Sequence, residues 1–170
     1  MIGASGLRLF TALWPEPATR AALQAWADAL PWPASARRVR PADLHITLHF
    51  LGEVPTDRLP DLRQALALPS PRTELLLDRA AMFHGGALVL EPASVPEPLA
   101  ALQATLDQRL RALGLPLETR RWRPHVTLAR HARGLALPAL NAPVPWHSQG
   151  HVLVASRPGS PYELLQRIGQ

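Results

Sequence analysis

Two segments of this chain repeat one pattern: an Arg-rich stretch, a proline, and then His-x-Thr-Leu. The first is RRVRPADLHITL at 37–48 and the second is RRWRPHVTL at 120–128. Their histidines, His45 and His125, are 80 residues apart in a chain of 170 residues, which is close to half its length. The repeat therefore predicts two related halves, each of which contributes one histidine-bearing strand to a shared cleft.

The first copy predicts a β-strand on which two polar side chains share one face. Side chains at i and i+2 of a strand point to the same side, about 6–7 Å apart. His45 and Thr47 are therefore expected to face the cleft. The same alternation directs Ile46, Leu48 and Phe50 toward the core.

The second copy predicts the same arrangement, with His125 and Thr127 facing the cleft and Val126 and Leu128 facing the core. An imidazole titrates near pH 6.5, so a neutral ring can accept a proton from water while a protonated ring donates one to a leaving oxygen. Threonine hydroxyls can donate hydrogen bonds to phosphoryl oxygens. Two imidazoles and two hydroxyls around one point suit the hydrolysis of a phosphodiester, most readily a strained cyclic one, without a metal.

Other site chemistries fit the sequence less well. His45 and His49 would share a metal on a helix, but on a strand they lie about 13 Å apart, and only Asp43 and Glu53 supply carboxylates near the first motif. No GxSxG segment supports a Ser-His-Asp site. A histidine taken alone beside apolar residues is more often structural than catalytic, so the duplicated context is what favours catalysis.

The spacing of apolar residues predicts strands interleaved with helices. The predicted elements are a strand at 7–13, a helix after Pro15, a strand at 45–51 stopped by Gly52, a helix around 59–66, strands at 75–82 and 87–90 joined at Gly85-Gly86, a helix at 97–113, a strand at 125–129, an irregular Pro-rich stretch at 131–150, and strands at 152–155 and 162–168. Short turns between neighbouring strands favour an α+β fold with antiparallel sheets. We expect one domain over residues 1–170, with two pseudo-symmetric lobes, each a small antiparallel sheet with outer helices, around a central cleft.

The ionisable side chains limit the function further. All 18 basic residues are arginines, and with 13 acidic residues the formal net charge is +5, which suits an anionic partner. A chain without lysine cannot form a lysyl-nucleotide adduct, a Schiff base or a Walker-type phosphate clamp. A chain without cysteine has no disulfide, thiolate metal site or cysteine nucleophile.

A cluster of arginines precedes each histidine strand. The clusters are Arg37, Arg38 and Arg40, and Arg120, Arg121 and Arg123. In a pseudo-symmetric fold both clusters would lie at the same end of the cleft, where they are predicted to follow an RNA backbone. The alternative is that they are ordinary solvated loop arginines.

No run of the chain approaches the roughly 18 apolar residues that a membrane span needs. The segment Met1–Trp14 has no charged region ahead of its apolar part, so it is not typical of a signal peptide. We therefore expect a monomeric cytoplasmic protein without a membrane partner.

At these residues the chain resembles the two-histidine phosphoesterase superfamily, and most of all the RNA 2′,3′-cyclic phosphodiesterases, also called 2′-5′ RNA ligases. The resemblance runs through RLFTALWP, DLHITLHFLGEV, LAALQATLDQRLRALG, RRWRPHVTLAR and PYELLQ, and the paired HxTL tetrapeptides are its specific part. It implies a bilobal fold. It also implies an enzyme that hydrolyses the 2′,3′-cyclic phosphate at an RNA end to a 2′-phosphate. A slow reverse ligation would form a 2′-5′ link, and neither reaction needs a cofactor.

The resemblance also implies roles for individual residues. His45 would donate a proton to the leaving 3′ oxygen, and His125 would activate water. Thr47 and Thr127 would bind the phosphate, as would Arg130 three residues after the second threonine. Strict alternation directs Arg130 away from the cleft, so the strand must end or bulge near Ala129 for this role.

Three further positions belong to the candidate site or border it. Arg123 is a candidate substrate contact. Phe50 would border the base, although its parity with Leu48 favours a place in the core. His49 stands where the family usually has a small or basic residue, and it would bring a third imidazole to the edge of the cleft.

Two alternatives to the RNA enzyme stay open. One is a cyclic phosphodiesterase that acts on small nucleotides or on ADP-ribose cyclic phosphate. The other is a non-catalytic RNA-binding module that keeps the cleft.

Overall fold

The computed structural model describes residues 5–137, 139–140 and 142–169. It confirms an α+β fold built from antiparallel strands and three α-helices in these ranges. The strands are β1 Gly6–Leu13, β2 Arg37–Arg38, β3 Ile46–Pro55, β4 Thr73–Leu77, β5 Arg79–Phe83, β6 Ala87–Glu91, β7 Val126–Arg130, β8 Val144–Ser148, β9 His151–Ser156 and β10 Glu163–Ile168. The helices are α1 Pro17–Asp28, α2 Leu59–Leu66 and α3 Glu97–Ala112.

The two histidine strands are neighbours in one sheet. Its strand order is β10-β9-β1-β3-β7-β6-β5, and β2 pairs with β7 at one side of this path. A single residue pair, Ile46 with Val126, joins β3 to β7. Because these strands are antiparallel, the histidine of each motif lies toward the threonine of the other. β4 and β8 form a separate two-stranded sheet.

Helices cover one face of this sheet. Leucines at 3–4 spacing on α3 are buried against it: Leu99, Leu102, Leu106 and Leu110. Gly114 follows this helix at a φ of 78°, a conformation that glycine adopts without strain. None of the helices in the described ranges is long and apolar enough to cross a membrane.

The opposite face carries a smaller apolar cluster near the first motif. Its members come from three adjacent strands and their flanks: Phe10, Ala12, Trp14, Val152 and Val154, with Tyr162 and Leu164 packed against them. This cluster packs beside His45, while the main core lies on the helix side.

Both motif strands contain a β-bulge at the leucine of His-x-Thr-Leu. On β3, Thr47 and His49 pair with consecutive residues of β1, which leaves Leu48 without an opposite partner. On β7, Thr127 and Ala129 pair with consecutive residues of β6, which leaves Leu128 as the extra residue. A bulge inserts one residue and so reverses the alternation of side chains that follow it.

Three predicted elements differ from the structure. The predicted strand at 75–82 is two strands, because β4 pairs with β8 while β5 pairs with β6. The stretch 131–150 is not wholly irregular, since it contains β8, although residues 138 and 141 lie outside the described set. β3 continues through Gly52, whose φ of 68° accommodates a second irregularity in its pairing with β1.

Candidate active site

A backbone carbonyl two residues earlier holds His45 in one tautomer. Its Nδ1 lies 2.7 Å from the carbonyl oxygen of Asp43. A carbonyl only accepts, so Nδ1 carries the proton and donates it. Nε2 then bears the lone pair, and it accepts a hydrogen bond from the Thr47 hydroxyl at 3.0 Å.

His125 is held in the same way. Its Nδ1 donates to the carbonyl oxygen of Arg123, again two residues earlier and again at 2.7 Å. The second ring therefore also presents Nε2 as its proton-accepting nitrogen. Two imidazoles in the same tautomer, fixed by equivalent backbone contacts, are the geometric centre of the site.

Aromatic side chains surround His45. Trp14 stacks on it, with ring centroids 5.5 Å apart and an interplanar angle of 11°. Phe10 lies at 4.9 Å, and Tyr162 meets the imidazole edge-on at 5.5 Å. His125 has one aromatic neighbour in the described ranges, Phe83 at 4.7 Å. The first half of the site is therefore the more apolar.

Burial lowers the pKa of both histidines. For His45 the desolvation outweighs the raising influence of Asp43, and the positive charges of His125 and Arg130 lower the pKa further. For His125 burial again dominates, while the Arg123 carbonyl and the Glu91 carboxylate raise its pKa. The two rings and Arg130 thus influence one another electrostatically.

A buried ion pair supports the His125 side of the site. Glu91 is 3% exposed, and both of its oxygens accept hydrogen bonds of 2.7 Å from Arg123. The Arg123 guanidinium also lies over the Phe83 ring, 4.4 Å from its centroid. Arg123, predicted to contact substrate, is thus already bound through its side chain while its carbonyl fixes His125.

The bulges determine where two further predicted residues lie. Phe50 is 64% exposed and 6.3 Å from Phe10 between ring centroids, so its placement in the core by strict alternation is wrong. Arg130 is exposed at the end of β7 and perturbs the pKa of both histidines. The bulge at Leu128 supplies the break in alternation that this position requires.

His49 does not lie at the edge of the cleft. It is 6% exposed, because the bulge at Leu48 turns it to the helix face of the sheet. There its Nδ1 contacts the Thr11 hydroxyl at 3.2 Å and its Nε2 contacts the Gln103 amide nitrogen at 3.2 Å. The prediction of a third cleft imidazole is therefore wrong.

Most arginines of the two clusters already have partners. Ion pairs join Arg38 to Asp28, Arg40 to Asp43, Arg120 to Glu118 and Arg123 to Glu91, and Arg37 donates to the carbonyls of residues 34–36. These contacts favour local structural roles over a track for an RNA backbone. The described residues also bring together no group of three His, Asp or Glu side chains that could hold a metal ion.

The sequence did not identify the aromatic and acidic neighbours of the histidines. Phe10 and Trp14 are on and after β1, Tyr162 precedes β10, and Phe83 and Glu91 end their strands. These elements meet only through long-range strand pairing. The alternation of LRLFTALW, which places Phe10 and Trp14 on one face, is the one local signal for two of them.

Known proteins share both this sequence pattern and this fold. The model of the 2′-5′ RNA ligase superfamily matches residues 14–152. E. coli LigT complexed with 3′-AMP is 26% identical, with a TM-score of 0.86 over 98% of this chain and 100% of that chain. LigT complexed with phosphate is 27% identical, with a TM-score of 0.78 over 97% and 99%.

A third solved structure, TT0787 of Thermus thermophilus, is 25% identical, with a TM-score of 0.77 over 95% of this chain and 97% of that chain. No curated protein sequence matches the chain significantly. The family match spans both histidine motifs and most of the sheet that joins them. The chain therefore belongs to the 2′-5′ RNA ligase superfamily of two-histidine phosphoesterases.

Proposed function

We propose that this protein hydrolyses the 2′,3′-cyclic phosphate at the end of an RNA chain to a 2′-phosphate. The observation that carries the proposal is the pair of histidines that immediately precede adjacent strands, each held with Nδ1 protonated by a carbonyl two residues earlier. One catalyst must accept a proton and the other must donate one. Two equivalent imidazoles that present Nε2 provide both functions without a metal.

The reaction balances with these groups alone. Nε2 of His125 accepts a proton as a water oxygen forms a bond to phosphorus. The P–O3′ bond breaks, and protonated Nε2 of His45 delivers its proton to O3′. The products are a 2′-phosphate and a free 3′-hydroxyl, and proton exchange with solvent restores the two rings.

The surroundings favour His45 as the acid. Trp14 lies parallel to its ring, and the negative face of an indole stabilises a cation stacked on it. Phe83, the aromatic neighbour of His125, already has the Arg123 guanidinium over its face. The bound phosphate would add negative charge beside both rings and so raise the pKa that burial lowers in the empty site.

Other polar groups are assigned to the phosphate and the base. Thr47 and Thr127 are half-buried next to the histidines, and Arg130 has no side-chain partner among the described residues. We assign these three to the phosphoryl oxygens. Phe50, exposed beside Phe10, is assigned to stack on the terminal base. The LigT structure that contains 3′-AMP is consistent with a nucleotide in this cleft.

The test is hydrolysis of an oligoribonucleotide that ends in a 2′,3′-cyclic phosphate, in the presence of a chelator. We expect a 2′-phosphate product, and we expect His45→Ala and His125→Ala each to lower kcat by at least about 10²-fold, the lower range for a general acid or base. His84→Ala, a change at an exposed histidine, is the matched control. A 3′-phosphate product, or full activity in either cleft variant, would contradict the mechanism.

The same assay separates the alternatives. If 2′,3′-cyclic AMP or ADP-ribose cyclic phosphate reacts as well as the oligomer, the enzyme acts on small nucleotides. If the wild-type protein binds the oligomer but turns over none of these substrates, it is a binding module. The monomeric state and the cytoplasmic location stay predictions.

A further inference from the structure

A cavity next to the candidate active site has Trp14 in its lining. Its volume is about 270 Å³, and it is lined by Trp14, Pro15, Glu16, Pro17, Arg20, Gln149 and Arg167. Trp14 stacks on His45, so this cavity and the candidate active site share a wall. The proposed catalytic chemistry uses neither of its arginines.

The two arginines of this cavity differ from most others in the chain. Neither Arg20 nor Arg167 has a hydrogen-bond or ion-pair partner through its side chain in the described parts of the structure, and the buried Nε of Arg20 has none. An unpaired buried donor is costly unless a ligand or water satisfies it. The one carboxylate in the lining, Glu16, already pairs with Arg72 at 3.3 Å.

The backbone adds to the positive potential of this cavity. Helix α1 begins at Pro17, and its first turn contains no acidic side chain. The N-terminal end of a helix carries partial positive charge and attracts anions. Two unpaired guanidinium groups and this helix end therefore face the same space.

Strand pairing gives the distance from the catalytic centre. Thr47 pairs with Ala12, Ala12 pairs with Val152, and Val152 pairs with Arg167. This row crosses four adjacent strands on the cleft side of the sheet, so Arg167 lies about 14 Å from Thr47 at about 4.8 Å per strand. A mononucleotide whose single phosphate lies at the histidines has no other phosphate that could reach Arg167.

We propose that Arg20 and Arg167 form a second phosphate subsite, which binds a backbone phosphate of the RNA upstream of the reacting end. The inference rests on the proposed function, and it makes the enzyme selective for oligomers over cyclic mononucleotides. The terminal cyclic phosphate lies at the histidines. The chain then passes Trp14, and an earlier phosphate reaches this cavity.

The test compares Arg20→Gln, Arg167→Gln and their double variant with wild type. On a tetranucleotide ending in a 2′,3′-cyclic phosphate, we expect KM to rise about tenfold in the double variant with kcat little changed. The slope of log(kcat/KM) against log[salt] should become shallower by about 0.7, the contribution of one phosphate on a single strand. Kinetics on 2′,3′-cyclic AMP should stay at the wild-type values.

Arg63→Gln is the matched control, because Arg63, like Arg167, is an exposed arginine without a partner among the described residues, but it lies on α2. It should behave like wild type with both substrates. An unchanged KM and salt slope for the double variant on the tetranucleotide would overturn the proposal. An equal loss on the tetranucleotide and on 2′,3′-cyclic AMP would also overturn it, because the effect would then arise at the histidines.

A binding measurement keeps this subsite testable if the proposed reaction fails. Fluorescence anisotropy of a labelled tetranucleotide with a 3′-phosphate should show weaker binding to the double variant than to wild type and Arg63→Gln. Competition by 3′-AMP and by inorganic phosphate provides two further arms. If inorganic phosphate displaces the tetranucleotide from wild type as well as an unlabelled tetranucleotide does, and displaces it less well from the double variant, the cavity binds free phosphate and the RNA assignment is wrong.

Discussion

Histidine 49 should make the stability of the protein depend on pH. Its ring is buried on the helix face of the sheet, between the Thr11 hydroxyl and the Gln103 amide. The amide nitrogen donates to Nε2, so the neutral ring has Nδ1 protonated and donates to Thr11. Burial lowers the pKa of His49 from 6.5 to about 4, although Asp107 at 3.8 Å acts in the opposite direction.

The sign and size of the effect follow from proton linkage. The unfolded chain protonates His49 below about pH 6.5 and the folded chain only near pH 4, so the unfolded state binds more protons between these values. The free energy of unfolding therefore falls as the pH falls through this window. A difference of about 2.5 pH units corresponds to about 3 kcal/mol.

The variant His49→Gln removes the titrating group and keeps an acceptor for Gln103. Urea unfolding, followed by tryptophan fluorescence at pH 7.5, 6.5, 5.5 and 4.5, gives the free energy of unfolding at each pH. Between pH 7.5 and 4.5 the variant should lose about 2–3 kcal/mol less than wild type. The exposed His84 is the matched control, and His84→Gln should follow the wild-type curve. Parallel curves for wild type and His49→Gln would refute the reasoning.

Three other predictions concern the neighbours of the histidines and the turn between β8 and β9. Glu91→Gln should shift the acidic limb of the kcat/KM profile to lower pH, because the Glu91 carboxylate raises the pKa of His125. Arg123→Ala should shift it to higher pH, because the charge of Arg123 lowers that pKa. Shifts in the same direction would contradict this assignment. Gly150 has a φ of 63°, and the Cβ that Gly150→Ala adds would meet a backbone carbonyl of β10. The substitution should therefore lower the free energy of unfolding, measured in urea, by about 2–3 kcal/mol. Phe50→Ala should alter stability by less than about 0.5 kcal/mol, but KM for the oligomer should rise several-fold; an unchanged KM would exclude stacking there.

The repeated motif predicted correctly that each histidine leads into a strand, although β3 and β7 begin one residue later, at Ile46 and Val126. Each motif alternates polar and apolar residues over only four positions. That alternation is enough to place Thr47 and Thr127 on the same face as the histidines. Prediction failed after the fourth residue, at the bulges. A bulge depends on the register of a neighbouring strand, which the local sequence does not specify, so His49 and Phe50 were both assigned to the wrong face.

The split of the predicted strand at 75–82 has a similar cause. Its first half, β4, pairs with β8, about 70 residues later in the chain, and its second half forms the predicted hairpin with β6. Both halves have the same apolar character, and only the partner differs. Local periodicity indicates that a segment is a strand, whereas tertiary contacts decide which sheet contains it.

The two bulges explain how a duplicated motif can form a site with unequal halves. Each buries the residue four positions after its histidine and exposes the next one at the cleft. That next residue is Phe50 in the first half and Arg130 in the second. The equivalent backbone thus presents an aromatic ring, Phe50 beside Phe10, in the first half and a cation, Arg130, that acts on both histidines in the second. Under the proposed function, we expect a substrate with a flat base at one end and an anionic phosphoryl group at the other to bind better than a symmetric anion.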